Sequence, residues 1–113
     1  MSEPEMKEDH LYHLLREGKI DDFNHACAKG ESPDLNNADL RGLGLRGLHA
    51  DGLDFQGCYF RQADLRGIDF SKANLNGASI HAAKISGCLF PADISADEIT
   101  LSLTHGTRMR YGC

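Results

Sequence analysis

The feature that most constrains this chain is an apolar pattern with a period of five, which runs through residues 33–92. We divide this stretch into twelve pentads and call the middle residue of each pentad i. Every residue at i and at i−2 is apolar, counting Pro33. The residues at i are Leu35, Leu40, Leu45, Ala50, Phe55, Phe60, Leu65, Phe70, Leu75, Ile80, Ile85 and Phe90. A period of five fits neither the 3.6 residues of a helix nor the 2 residues of a long strand.

Glycine recurs at the last position of the pentads, i+2, at positions 42, 47, 52, 57, 67, 77 and 87. Glycine accepts a positive φ at little cost, so it suits a chain that must turn at this point. The pattern therefore predicts that each pentad is one short edge with two inward side chains, followed by a corner. Four such edges close a coil of twenty residues, which predicts that residues twenty apart stack in columns such as Leu40, Phe60 and Ile80.

Three triplets resemble the A(D/N)LXX consensus of the pentapeptide-repeat family: Ala38-Asp39-Leu40, Ala63-Asp64-Leu65 and Ala73-Asn74-Leu75. The resemblance implies an all-β solenoid, a right-handed quadrilateral β-helix of about three coils. The period alone fixes neither the handedness nor the four-sided section.

Helical patterns flank the repeats, as the exposed ends of a stack require. Leu11, Leu14 and Leu15 share a face within 8–17, and a second amphipathic pattern spans 19–29. Ser95 and Glu98 read as a capping box before a helix at 96–105, with Ala96, Ile99 and Leu103 on one face. We therefore predict an N-terminal helical cap in 1–32, the repeats in 33–92, and a C-terminal capping helix and tail in 93–113.

The composition favours a soluble, reduced protein. The net charge is −5, and no apolar run approaches the roughly 18 residues of a membrane span. The acidic start, Met1 to Asp9, has no apolar export signal, so we expect a cytoplasmic location and no membrane partner. Cys58 and Cys88 fall at i−2 and are expected to face inward as small fillers, whereas Cys113 is expected to be exposed.

The sequence contains no pattern that predicts catalysis, a metal site or a cofactor. His10 and His13 could supply two metal ligands, but no third ligand has matching spacing. No nucleophile–base pair or phosphate loop is present, and a core filled by side chains has no interior pocket. We therefore expect a protein that is not an enzyme.

The i+1 positions give the only patterned surface, which we call the basic strip: Arg41, Arg46, Arg61 and Arg66, with His81 above Arg61. One interpretation is a site for phosphate, nucleic acid or an acidic partner surface. The other is that Asp39, Asp64 and Asp69 neutralise the strip locally, so that it only keeps the surface soluble.

Together these features predict a non-enzymatic protein-interaction module whose partner the sequence does not identify. A homodimer through the C-terminal helix is a further hypothesis, with Leu101, Met109 and Tyr111 as candidate contacts. The family resemblance also implies an alternative, a DNA mimic that modulates DNA gyrase like the fluoroquinolone-resistance members. Residues 33–92 hold six acidic and six basic side chains, a net charge of zero, which counts against mimicry. Nucleic acid is not the expected partner.

Overall fold

The computed structural model describes residues 6–112 of the 113-residue chain. The start of the acidic N-terminus and the expected exposure of Cys113 therefore lie outside the described residues. The described range contains three helices: α1 (His10–Arg16), α2 (Ile20–Ala28) and α3 (Ala96–His105). They fall within the predicted spans 8–17, 19–29 and 96–105. The division into 1–32, 33–92 and 93–113 stays a prediction.

Side-chain caps fix where two of the helices begin. The Asp9 carboxylate accepts a hydrogen bond from the Tyr12 amide at 3.1 Å, and the Ser95 hydroxyl accepts one from the Glu98 amide at 3.2 Å. The predicted capping box is only half formed, because the Glu98 carboxylate accepts a hydrogen bond from the Arg110 side chain at 3.0 Å. α3 ends at Gly106, which is left-handed with φ 77°.

The repeats wind as stacked coils of twenty residues. All six isolated bridges of the described residues are parallel and join positions twenty apart, as in Asp39 with Tyr59 and Tyr59 with Ser79. Leu40 N donates to Tyr59 O at 3.0 Å, and Tyr59 N donates to Ala38 O at 3.1 Å. The prediction that residues twenty apart stack is therefore confirmed.

The expected all-β class is wrong. Residues 6–112 contain three α-helices and no β-strand or sheet, and the coils touch only through isolated bridges. The period of five explains this, because a turn follows each edge before a second consecutive residue can pair. The seven glycine corners all have positive φ, between 72° and 88°. A right-handed quadrilateral β-helix is thus implied by the family resemblance and not by the elements of this fold.

The interior of the coils is filled by the predicted inward residues. Ten of the twelve residues at i are buried, and the other two, Ile85 and Phe90, are half-buried in the last coil. The rings of Phe55, Phe60 and Phe70 lie with centroids 5.6 to 6.0 Å apart, in the tilted and edge-to-face arrangements that aromatic rings prefer. The core is a continuous packed column.

Polar side chains of the N-terminal helices satisfy the first coil's exposed backbone. The Tyr12 hydroxyl is buried and donates to Asp39 O at 2.7 Å. Asn24 donates to Gly47 O at 2.9 Å and accepts from His49 N at 2.9 Å. These side chains take the hydrogen-bonding places that a preceding coil would fill.

The C-terminal segment forms hydrogen bonds with the exposed backbone of part of the last coil. The Ser102 hydroxyl accepts from Ile80 N at 3.0 Å, and Met109 exchanges two backbone hydrogen bonds with residues 77 and 78. The predicted apolar face of α3 needs correction: Ala96 is exposed, Ile99 and Leu103 are half-buried, and Ser102 is fully buried. On another part of the last coil, Leu89 is 56% exposed.

Candidate interaction surface

Stacking brings three members of the basic strip onto one side of the coils. Arg41, Arg61 and His81 follow one another at intervals of twenty residues. Backbone hydrogen bonds hold this register at the corners, from Gly42 N to Arg61 O at 2.8 Å and from Gln62 N to His81 O at 2.9 Å. Arg46 and Arg66 follow the same spacing on the next side of the coil.

Two arginines of the strip are held by carboxylates two residues earlier. Asp39 accepts from the Arg41 amide at 3.1 Å and from its guanidinium at 2.9 and 2.8 Å. Asp64 binds Arg66 in the same way, with guanidinium distances of 2.9 and 2.7 Å. Each pair combines a turn with a bidentate ion pair.

These hydrogen bonds favour the ionised carboxylates. The Arg66 side chain lowers the pKa of Asp64 to about 2, and its amide and charge act in the same direction. The Arg41 side chain likewise lowers the pKa of Asp39. The third carboxylate considered as a neutraliser, Asp69, instead accepts from the Ser71 amide and hydroxyl.

Arg46 and Arg61 differ from the other two arginines because no carboxylate precedes them at the same spacing. Gly44 and Tyr59 occupy those places. Within residues 6–112, neither arginine forms an ion pair. The basic strip therefore contains two arginines that are ion-paired with an aspartate two residues earlier, and two exposed arginines, Arg46 and Arg61, that form no ion pair within residues 6–112. The charge of Arg46 still helps to lower the pKa of Asp64, which stacks on Gly44.

A cleft of about 350 Å³ opens beside Arg61, where the coil side meets the end of α3. Arg41, Tyr59, Ser79 and His81 line it from the coils, and His105 and Gly106 from the helix end. The Ser79 hydroxyl joins the two walls by donating to Gly106 O at 3.1 Å. None of the lining residues is acidic.

Part of this cleft could have been found from the sequence. The twenty-residue register places Tyr59 and Ser79 in the column beside Arg61 and His81, so both could have been added to the strip. His105 could not, because the repeat pattern does not tell which coil side α3 covers.

Arg108, in the C-terminal tail, packs against Tyr59 next to the cleft. Its guanidinium lies over the Tyr59 ring, 4.9 Å from the centroid, and it donates to the Tyr59 hydroxyl and, at 3.0 Å, to Gly77 O. The C-terminal tail is thereby fixed to the same coil side as the cleft.

The three candidate self-association residues occupy different environments. Leu101 is 42% exposed, whereas Met109 is fully buried. The Tyr111 hydroxyl accepts from Leu75 N at 3.2 Å and donates to Ala73 O at 3.3 Å. Of the three, only Leu101 presents exposed apolar surface; self-association itself stays a prediction.

Metal-binding clusters and membrane-spanning helices are absent from residues 6–112. No group of three or more His, Cys, Asp or Glu side chains is arranged to hold a metal ion. None of the three helices in this range has the length and apolar character of a membrane span.

A family model described as pentapeptide repeats matches residues 54–90 in eight copies. Neither a curated protein nor a solved structure matches the chain.

Proposed function

Since the chain is a pentapeptide-repeat protein, we propose that it acts as a non-enzymatic interaction module that binds a protein partner through the outer sides of its coils. Phe55, Phe60, Phe70 and the other inward side chains fill the coil interior. A partner therefore meets the outer sides and the corners. The repeat register holds these surfaces in place, so binding requires little ordering of the module.

The observation that carries the proposal is that Arg46 and Arg61, on two neighbouring sides, are exposed and form no ion pair within the described residues. Arg41 and Arg66, at equivalent positions, are neutralised by Asp39 and Asp64. Exposed guanidinium groups that keep their donors suit an acidic partner surface, with charge complementarity steering the encounter. We expect Arg46 and Arg61, and not the whole strip, to determine partner choice.

The test is affinity capture with the immobilised full chain, comparing wild type with the double variant Arg46→Glu/Arg61→Glu. The matched control is Lys29→Glu/Lys72→Glu, which changes the charge equally at two exposed residues outside the strip. We expect wild type and control to retain the same partner and the Arg variant to lose it, with captured proteins identified by mass spectrometry. Equal capture by all three proteins would reject the role of these arginines.

A further inference from the structure

We propose that the cleft beside Arg61 binds a phosphate group, and this inference rests on the proposed function because it names the chemistry that one part of the interaction surface recognises. The cleft is bounded by Arg61 and His81 on the coil side and by His105 at the end of α3. Its volume, about 350 Å³, lies at the small end of ligand pockets.

The cleft offers hydrogen-bond donors and positive charge that suit an anion. Arg61 contributes a guanidinium with five N–H donors, and each imidazole contributes at least one N–H. Arg41, which also lines the cleft, directs its Nε and Nη2 to Asp39 and so adds little net charge. Among residues 6–112, no acidic side chain lines the cleft, so the charge of Arg61 is left for a ligand.

The number of donors around the cleft favours a phosphate over a carboxylate. Phosphate presents three strong acceptor oxygens and a charge of about −1.5 to −2 at neutral pH. It can therefore accept from Arg61, His81 and His105 together, whereas a carboxylate has one charge and two oxygens. The carboxyl end of α3 carries partial negative charge, so the side chains and not the helix must hold the anion.

The two walls of the cleft, the coil side and the end of α3, are held together before any ligand binds. A Cβ at position 106 would lie 3.3 Å from His81 Nδ1, so glycine allows the end of α3 to approach the imidazole closely. The hydrogen bond from Ser79 to Gly106 O fixes the same contact. Preformed positions reduce the entropy lost on binding, which favours a small ligand.

The experiment is a ¹H–¹⁵N NMR titration of the full chain at constant ionic strength. The probes are inorganic phosphate, O-phosphoserine and, as the carboxylate comparator, acetate. We expect saturable shifts at the amides of Arg61, His81 and Gly106 with both phosphate probes, and weaker binding of acetate. Tighter binding of O-phosphoserine indicates a phosphorylated partner, and equal binding indicates free phosphate; both outcomes support a phosphate site.

The variants are Arg61→Ala and, as matched control, Arg46→Ala, which removes the other strip arginine without an ion pair in the described residues and lies outside the cleft. Circular dichroism checks that both remain folded. Loss of a bidentate contact to an anion should weaken phosphate binding at least about tenfold in Arg61→Ala only. Equal losses in both variants, unsaturable shifts in wild type, or acetate binding as tight as phosphate would overturn the proposal.

The results also separate this inference from the proposed function. If phosphate does not bind but Arg46→Glu/Arg61→Glu still loses its partner, only the phosphate inference fails. If phosphate binds at the cleft but capture is unchanged by that double variant, the role of these arginines in partner choice fails while the phosphate site stands.

Discussion

At the scale of single residues, the corner position i+2 limits how closely two coils can stack. At Gly57, an added Cβ would lie 2.1 Å from Asn37 Oδ1 in the coil below. At Gly67, an added Cβ would have no atom of another residue within 4 Å. Both glycines have positive φ, 72° and 79°. Both glycines therefore need a positive φ, but only Gly57 has a side chain of the adjacent coil close to its corner.

We predict that Gly67→Ala lowers the free energy of unfolding by about 1–2 kcal/mol, the cost of a left-handed alanine. Gly57→Ala should cost roughly 1–3 kcal/mol more, because the methyl group overlaps the Asn37 side chain. Urea unfolding measures both. In an Asn37→Gly background the extra cost at Gly57 should disappear; if it persists, the overlap is not its cause.

Cys58 is the residue whose titration should affect stability most clearly. Desolvation by burial raises the pKa of its thiol from 9.0 to about 12. The folded state thus disfavours the thiolate relative to the unfolded chain. The corresponding stability is fully present below about pH 9 and is lost as the pH rises through 9 to 12.

We therefore predict that the wild type loses about 2 kcal/mol of unfolding free energy between pH 7.5 and pH 10.5 through Cys58 alone. The measurement is urea unfolding at both pH values. Cys58→Ala is the control, since alanine occupies the same pentad position at residues 38, 63, 73, 78 and 83. A pH dependence that is identical in wild type and control would contradict the assignment.

The repeat pattern predicts the environment of residues within the repeats and not of residues outside them. The burial of Phe60, Phe70 and Ile80 followed from the period, because each of them is the middle residue of a pentad and points inward. Tyr12 and Ser102 could not be identified, since each hydrogen-bonds to one particular coil backbone group from a helix outside the repeat. Local neutralisation by Asp39 and Asp64 was one of the two interpretations of the strip, and each of these aspartates pairs with the arginine two residues later.

At the scale of elements, the helices were predictable and the coil edges were not. Apolar spacing and caps located α1, α2 and α3, because helical hydrogen bonds are local to the segment. A strand needs a partner of sufficient length, and the spacing of five leaves only isolated bridges between coils. The family resemblance therefore led to an all-β class that the elements do not have.

One buried side chain of α3 joins this helix to the backbone of the last coil. Ser102 is fully buried and its hydroxyl is the acceptor for Ile80 N. Ser102→Ala leaves that amide without its acceptor and should lower the unfolding free energy by about 1–3 kcal/mol. Amide hydrogen exchange should also become faster at Ile80, because its hydrogen bond is lost.

The matched control on the same helix is Thr104→Ala. Thr104 is exposed and its hydroxyl donates only to Thr100 O within α3. This change should stay within about 0.5 kcal/mol of wild type. Comparable losses for the two variants would mean that the loss at Ser102 does not come from its hydrogen bond to Ile80 N, since alanine itself favours the helix more than serine or threonine does.

At the scale of the whole molecule, charge distinguishes an interaction module from a DNA mimic. The molecule measures 35 Å along its longest axis and carries a formal net charge of −5. B-DNA of that length carries roughly 20 negative charges, at one per about 1.7 Å. The net charge of residues 33–92 is zero, and Arg46 and Arg61 expose positive charge on their sides.

We therefore predict that the purified chain does not inhibit DNA supercoiling by gyrase at a molar excess over the enzyme, because its sides lack the negative potential of a duplex. A supercoiling assay with relaxed plasmid measures this. The wild type is compared with Arg46→Glu/Arg61→Glu, which lowers the net charge by four at the two strip arginines that form no ion pair in the described residues. Inhibition by the wild type that the variant strengthens would show mimicry and contradict the assignment; no inhibition by either leaves the arginine-bearing sides free for a partner with complementary charge.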